Sequence, residues 1–64
     1  MKTTYDNEAN ALYVKFSDDK IERTEELRPG IILDFDSRGH IVGIEMLDAK
    51  KQLSEAALKS LEAA

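Results

Sequence analysis

The chain has no cysteine and no tryptophan, and only one proline, one histidine and three glycines among its 64 residues. Without cysteine there is no disulfide framework, no thiolate nucleophile and no Cys-liganded zinc or redox centre. A single imidazole, His40, completes neither a catalytic triad nor a zinc site. No apolar run approaches the roughly 18 residues of a membrane span. Residues 1–11 lack the apolar stretch of a secretory signal. Both absences lead us to expect a cytoplasmic protein. There is no Gly-rich phosphate loop. Nine Lys and Arg against thirteen Asp and Glu leave a net charge of −4. The only basic run is Lys50-Lys51, so nucleic acid is not an expected partner.

What is present is a short chain with 42% hydrophobic residues. It reads as one domain spanning residues 1–64, with a sheet over 2–48 and a helix over 54–63. At this size, apolar burial and the entropy of ordering the chain nearly cancel. With no disulfide or metal-thiolate to compensate, self-association is the cheapest remaining source of buried area.

Along the chain, Thr3, Thr4 and Tyr5 favour an extended backbone. Asp6-Asn7-Glu8 has turn composition. Residues 10–16 alternate, with Leu12, Val14 and Phe16 on one side and Ala11, Tyr13 and Lys15 on the other. This predicts a strand paired with the first in a hairpin. Residues 21–27 are apolar only at their ends and suit a charged sheet edge. Arg28-Pro29-Gly30 is a turn. Residues 31–35 and 41–47 are two apolar strands joined by Asp36-Ser37-Arg38-Gly39. Asp first and Gly fourth suit a type I turn closed by a glycine bulge. Ser54 is the expected helix N-cap, with Leu53 and Leu58 spaced as a hydrophobic staple. The fold class is therefore α+β: a small antiparallel β-meander of about five strands followed by one C-terminal helix.

If Asp36 pairs with His40, Phe35 faces Ile41, Leu33 faces Gly43 and Ile32 faces Ile44. One face then carries Ile31, Leu33, Phe35, Ile41 and Leu47, and the other Ile32, Val42, Ile44 and Met46. Both faces would need cover, and one short helix covers one at most. The expected partner-binding residues are accordingly Ile32, Val42, Ile44, Met46, Leu58 and Leu61, and the expected assembly is a homodimer. Gly43, in mid-strand, marks a bulge or a close backbone approach.

The runs Tyr5-Asp6-x-Glu8-Ala9-x-Ala11-Leu12-Tyr13-Val14, Gly30-Ile31-Ile32-Leu33-Asp34-x-Asp36-x-x-Gly39 and Val42-Gly43-Ile44-Glu45-Met46-Leu47-x-Ala49 carry a resemblance. Over residues 2 to 50 the chain resembles a widespread family of small prokaryotic proteins known only as a domain of unknown function. Its recurrent patterns are YDxEADALY and GxxLDxDxxGxxVGIEIL. This chain departs from them at Asn10, where the family usually shows Asp. The resemblance implies a small antiparallel β-rich domain. The company such genes keep, beside those of other small proteins with a ribonuclease-toxin-like look, implies an antitoxin or partner role. It supplies no catalytic residues and no cofactor.

Asp34-x-Asp36-x-x-Gly39 has the opening spacing of a calcium loop but lacks its third acid and closing Glu, and a hairpin turn accounts for it better. Asp34, Asp36 and Glu45 are the weak candidates for a divalent ion, with Asp6, Glu8 and Asp48 nearby in the pattern. Asp34 and Glu45 stand out because each interrupts an apolar stretch. A paired carboxylate could act as acid and base, yet Arg23, Arg28, Arg38 or Lys15 could equally neutralise either one. Two function classes result. The first is a non-enzymatic, homo-oligomeric interaction module, antitoxin-like toward another small protein, with no cofactor. The alternative is a small divalent-metal-binding or carboxylate-based enzyme.

Overall fold

A computed structural model describes residues 1–63; Ala64 lies outside the described residues. Five strands, β1 (Lys2–Asp6), β2 (Ala11–Lys15), β3 (Arg23–Arg28), β4 (Ile31–Phe35) and β5 (Ile41–Leu47), form one antiparallel sheet in the order β1-β2-β5-β4-β3. Two helices follow, α1 (Ala49–Gln52) and α2 (Glu55–Ala63). The α+β class with five antiparallel strands and a helical tail is as expected, but the order is not that of the expected meander, because β5 inserts next to β2. Consecutive strands are neighbours except at one place: β5 comes between β2 and the β3–β4 pair. The crossing from β2 to β3 uses the long connection through Ser17 and Lys20, while tight turns close the other hairpins.

The turns follow local chemistry. Asp6 Oδ1 accepts from the amides of Glu8 and Ala9 at 3.0 and 3.1 Å, an Asx arrangement that closes β1–β2. Gly30, with φ +85°, takes the left-handed position after Pro29. In the β4–β5 loop the Gly39 amide donates to Asp36 C=O at 3.1 Å, and the Asp36 amide donates to His40 C=O at 2.9 Å. Gly39 sits at φ +81°. This is the type I turn with a glycine bulge that the sequence predicts.

The ladder beyond that turn is where the regular register fails. Phe35 faces Ile41, as expected, but Asp34 faces Gly43, Leu33 faces Ile44, Ile32 faces Glu45 and Ile31 faces Met46, with an irregularity between Asp34 and Phe35. Val42 is the extra residue of a β-bulge. One inserted residue exchanges the faces of everything after it. Ile44 and Met46 therefore share a face with Ile31 and Leu33 rather than opposing them. They are joined across β2 by Val14 and Leu12 and across β1 by Thr3 and Tyr5. The other face carries Ile32, Asp34, Gly43, Glu45, Tyr13, Thr24, Glu26 and Thr4. The expectation of two apolar faces is thus corrected: the sheet has one apolar face and one polar face.

The helical tail lies on the apolar side, where Leu61 and Glu62 of α2 border a groove with Thr3, Tyr5 and Asn7. Ser54 Oγ accepts from the Ala57 amide at 3.1 Å, so the expected cap is in place. The single helix expected is preceded by the four-residue α1. Gln52 at the end of α1 donates to Pro29 C=O and Leu47 C=O, pinning α1 to the β3–β4 turn. The core is thin. Ile31, Val42 and Ala49 are the buried apolar residues among those described.

Candidate interaction surfaces

The polar face centres on Asp34. Its carboxylate accepts from Tyr13 Oη at 2.8 Å and from Thr24 Oγ1 at 2.7 Å. Three strands supply the three side chains: β2 brings Tyr13, β3 brings Thr24 and β4 brings Asp34. The phenol reaches across β5 because Gly43 leaves the space open. A Cβ there would come against Tyr13 Oη, within 2.9 Å of Cζ and 3.1 Å of the Val14 carbonyl oxygen. Gly43 is therefore both next to a bulge and the site of a close approach, the two roles its position suggests. Burial pushes the Tyr13 phenol up from its ordinary value of 10.0, and the bond to Asp34 and the negative charges of Asp34 and Glu45 push the same way. The phenol is thus held as a neutral hydrogen-bond donor to the Asp34 carboxylate. This is a cross-strand brace rather than an activated nucleophile.

The remaining candidate carboxylates are dispersed. Asp36 lies in the hairpin loop, where its Oδ1 accepts from the amides of Arg38 and His40, both at 2.9 Å. Those amides, the His40 amide foremost, hold its carboxyl below the usual range. Glu45 shares the polar face with Asp34 but is opposite Ile32 and Tyr13. Asp48 accepts from Asn10 Nδ2 at 3.1 Å. Among the described residues, no three of His, Cys, Asp and Glu converge in a set that suits a metal ion. Asp34 braces three strands, Asp36 closes its turn and Asp48 holds Asn10.

The six expected partner-binding residues do not form one patch. Val42 is buried, with 1% of its surface exposed. Ile44 and Met46 are half-buried on the helix-bearing side, as are Leu58 and Leu61 within α2. Ile32 is on the opposite, polar face between Glu26 and Glu45. Exposed apolar side chains lie at both ends of the sheet: Leu27 and Leu47 beside the β3–β4 turn, and at the other end Phe16, 47% exposed, Ile21, 44%, and Ile41, 50%. The Phe16 amide donates to Val42 C=O and the Glu22 amide to Phe35 C=O, while Ile41 pairs with Phe35. These bonds place all three at the same end of the sheet, opposite α1. Arg23 stacks its guanidinium 4.3 Å from the centre of the Phe35 ring at this end. The alternation in residues 10–16 does put Phe16 on the apolar face. The exposure of Ile41 follows only from where the helices stop.

Residues 2–50 match the family described as "Protein of unknown function (DUF2283)". The chain belongs to that family. No curated protein and no solved structure matches it. The matched span takes in all five strands and ends within α1, so the sheet and its turns are the family's domain, and α2 lies beyond the match. Among the described residues no helix is long and apolar enough to cross a membrane.

Proposed function

We propose that this DUF2283 domain is a non-enzymatic, self-associating protein-interaction module. The observation that carries the reading is an excess of surface. The folded chain presents 4711 Å² to solvent. A monomeric protein of 7.2 kDa presents about 4,100 Å². The excess is close to what one partner contributes to a small stable interface. A three-residue core with Phe16, Ile21 and Ile41 left half open fits a chain whose folding is completed by association. The role we attach to it is antitoxin-like. A chain of net charge −4 suits a basic partner, and the apolar end at Phe16, Ile21 and Ile41 supplies the contact. We expect it to act in the cytoplasm.

The test is light scattering during dilution from micromolar to nanomolar concentration, with circular dichroism alongside. A dimer mass at the upper end, with loss of mass and of thermal stability together on dilution, is expected. A single-chain mass and an unchanged melting temperature throughout would overturn the reading.

A further inference from the structure

The sheet has two edges, and they are built differently. β3 is blunted. Its pairing with β4 is irregular between Glu26 and Arg28, and all six of its residues are exposed. Four of the six, Arg23, Glu25, Glu26 and Arg28, are charged. Pairing β3 antiparallel with itself across its centre would set Arg23 against Arg28 and Glu25 against Glu26 of the second copy. Like charges directly opposite one another are destabilising, and bulges with edge charge are the ordinary defence against such pairing.

β1 lacks the irregularity and the central charges. Its pairing with β2 is regular over all five residues, it has no proline, and only its two ends are charged, with opposite signs. We propose that the outer edge of β1 is the self-association surface: two chains pair their β1 strands antiparallel about a two-fold axis at Thr4, making one ten-stranded sheet. This rests on the self-association reading above and names where it happens. The axis places Lys2 opposite Asp6 of the second copy, Thr3 opposite Tyr5, and Thr4 opposite Thr4. Opposite charges, threonine pairs and aromatic with β-branched pairs are each favourable across strands.

Three further observations fit. Within its own chain Lys2 faces Lys15, a like-charge opposition. Asp18 pairs with Lys15 at 2.9 Å and lies near enough for the charge of Lys2 to help hold its carboxyl low, but among the described residues no ion pair uses Lys2 itself, and Asp6 of the second copy would give it a direct partner. The groove of about 590 Å³ lined by Thr3, Tyr5, Asn7, Leu61 and Glu62 opens at this same edge. A two-fold axis normal to the sheet keeps both apolar faces on one side. Thr3 and Tyr5 of the second copy then enter the groove beside Leu61. The apolar end at Phe16 and Ile41 is left free for another protein.

The chain's lack of cysteine makes the test clean. Under mild oxidation of the full chain, Thr4→Cys should give disulfide-linked dimers at least about ten-fold faster than Thr3→Cys, because only position 4 meets itself across the axis. Lys2→Asp should weaken the dimer about ten-fold or more at low salt, by facing Asp6 with a second acid, while the melting temperature of the dissociated chain holds or rises as the Lys15 opposition is relieved. Equal cross-linking at positions 3 and 4, or an unchanged dissociation constant for Lys2→Asp, overturns the edge pairing. If light scattering still finds a dimer in that case, self-association stands and only its location is wrong. A chain that is single at every concentration removes both.

Discussion

Asn10 and Asp48 adopt the same left-handed backbone, φ 54° and 57°, and are joined side chain to side chain, Asn10 Nδ2 donating to Asp48 Oδ1 at 3.1 Å. Asn10 closes the β1–β2 turn and Asp48 ends β5, so this bond ties the first hairpin to the start of the helical tail. Asn10 does more from the same position. Its Oδ1 accepts from Tyr5 Oη at 3.2 Å and from the Lys50 amide at 3.1 Å, and its carbonyl accepts from the Ala49 amide at 3.0 Å. Asn is one of the few residues that tolerates this backbone while offering both a donor and an acceptor.

Asn10→Asp tests that junction. It keeps the acceptor for Tyr5 and Lys50, loses the donor, and sets two carboxylates together. We expect a loss of about 1–2 kcal/mol in urea unfolding at pH 7. Adding Asp48→Asn returns a donor across the same gap and should recover most of that loss. A double variant no more stable than Asn10→Asp would show that the bond does not couple the two segments.

Gly43→Ala adds one methyl group where the Tyr13 ring and the Val14 carbonyl already stand. The ring must swing away and release Asp34. A cost of about 1–3 kcal/mol is expected from overpacking. It should fall sharply in a Tyr13→Phe background, where the hydroxyl is gone and Asp34 has one donor less to lose. The same cost in both backgrounds would place the strain on the backbone of β2 instead.

The Tyr13 phenol should titrate above the ordinary 10.0. Its folded value is raised, so the folded chain holds the proton more tightly than the unfolded one. The associated stability is fully present below the unfolded value and is lost as pH rises through the folded one. Ultraviolet titration of a Tyr5→Phe variant isolates this group, and Asp34→Asn should lower its midpoint by removing the carboxylate it donates to. A midpoint indifferent to Asp34→Asn would show that Asp34 is not its partner in solution.

Acid acts through Asp36 and, where Lys15 holds its carboxyl low, through Asp18; Asp36 is the one bound into a turn. Amide donors, first that of His40, lower its folded value. Its contribution is therefore present above the unfolded carboxylate range and disappears as pH falls through the folded value, in a window beginning at about pH 4 and extending lower. Asp36→Asn keeps an acceptor for the Arg38 and His40 amides without a titrating charge. Melting curves between pH 5 and 2 should be flatter for that variant than for the parent chain. Parallel curves would assign the acid sensitivity to other groups.

Much of this domain is written locally. The Asp36–Gly39 turn, the Pro29-Gly30 turn, the Ser54 cap and the charged edge strand each depend on residues a few positions apart, so propensity and spacing determine them without help from the rest of the fold.

Only the tertiary structure decided which side chains share a face. A single extra residue at Val42 reverses the alternation of β5, because the period of a strand is two. That reversal turned an expected second apolar face into a polar one. Strand order was likewise not local: β5 lies between β2 and β4 because its apolar side meets Leu12 and Val14 on one flank and Ile31 and Leu33 on the other. The brace from Tyr13 and Thr24 to Asp34 exists only after those non-local pairings form, since its members come from three strands. Short-range chemistry named the turns and the cap; long-range registry, which depends on how the whole sheet buries its apolar side, chose the surfaces.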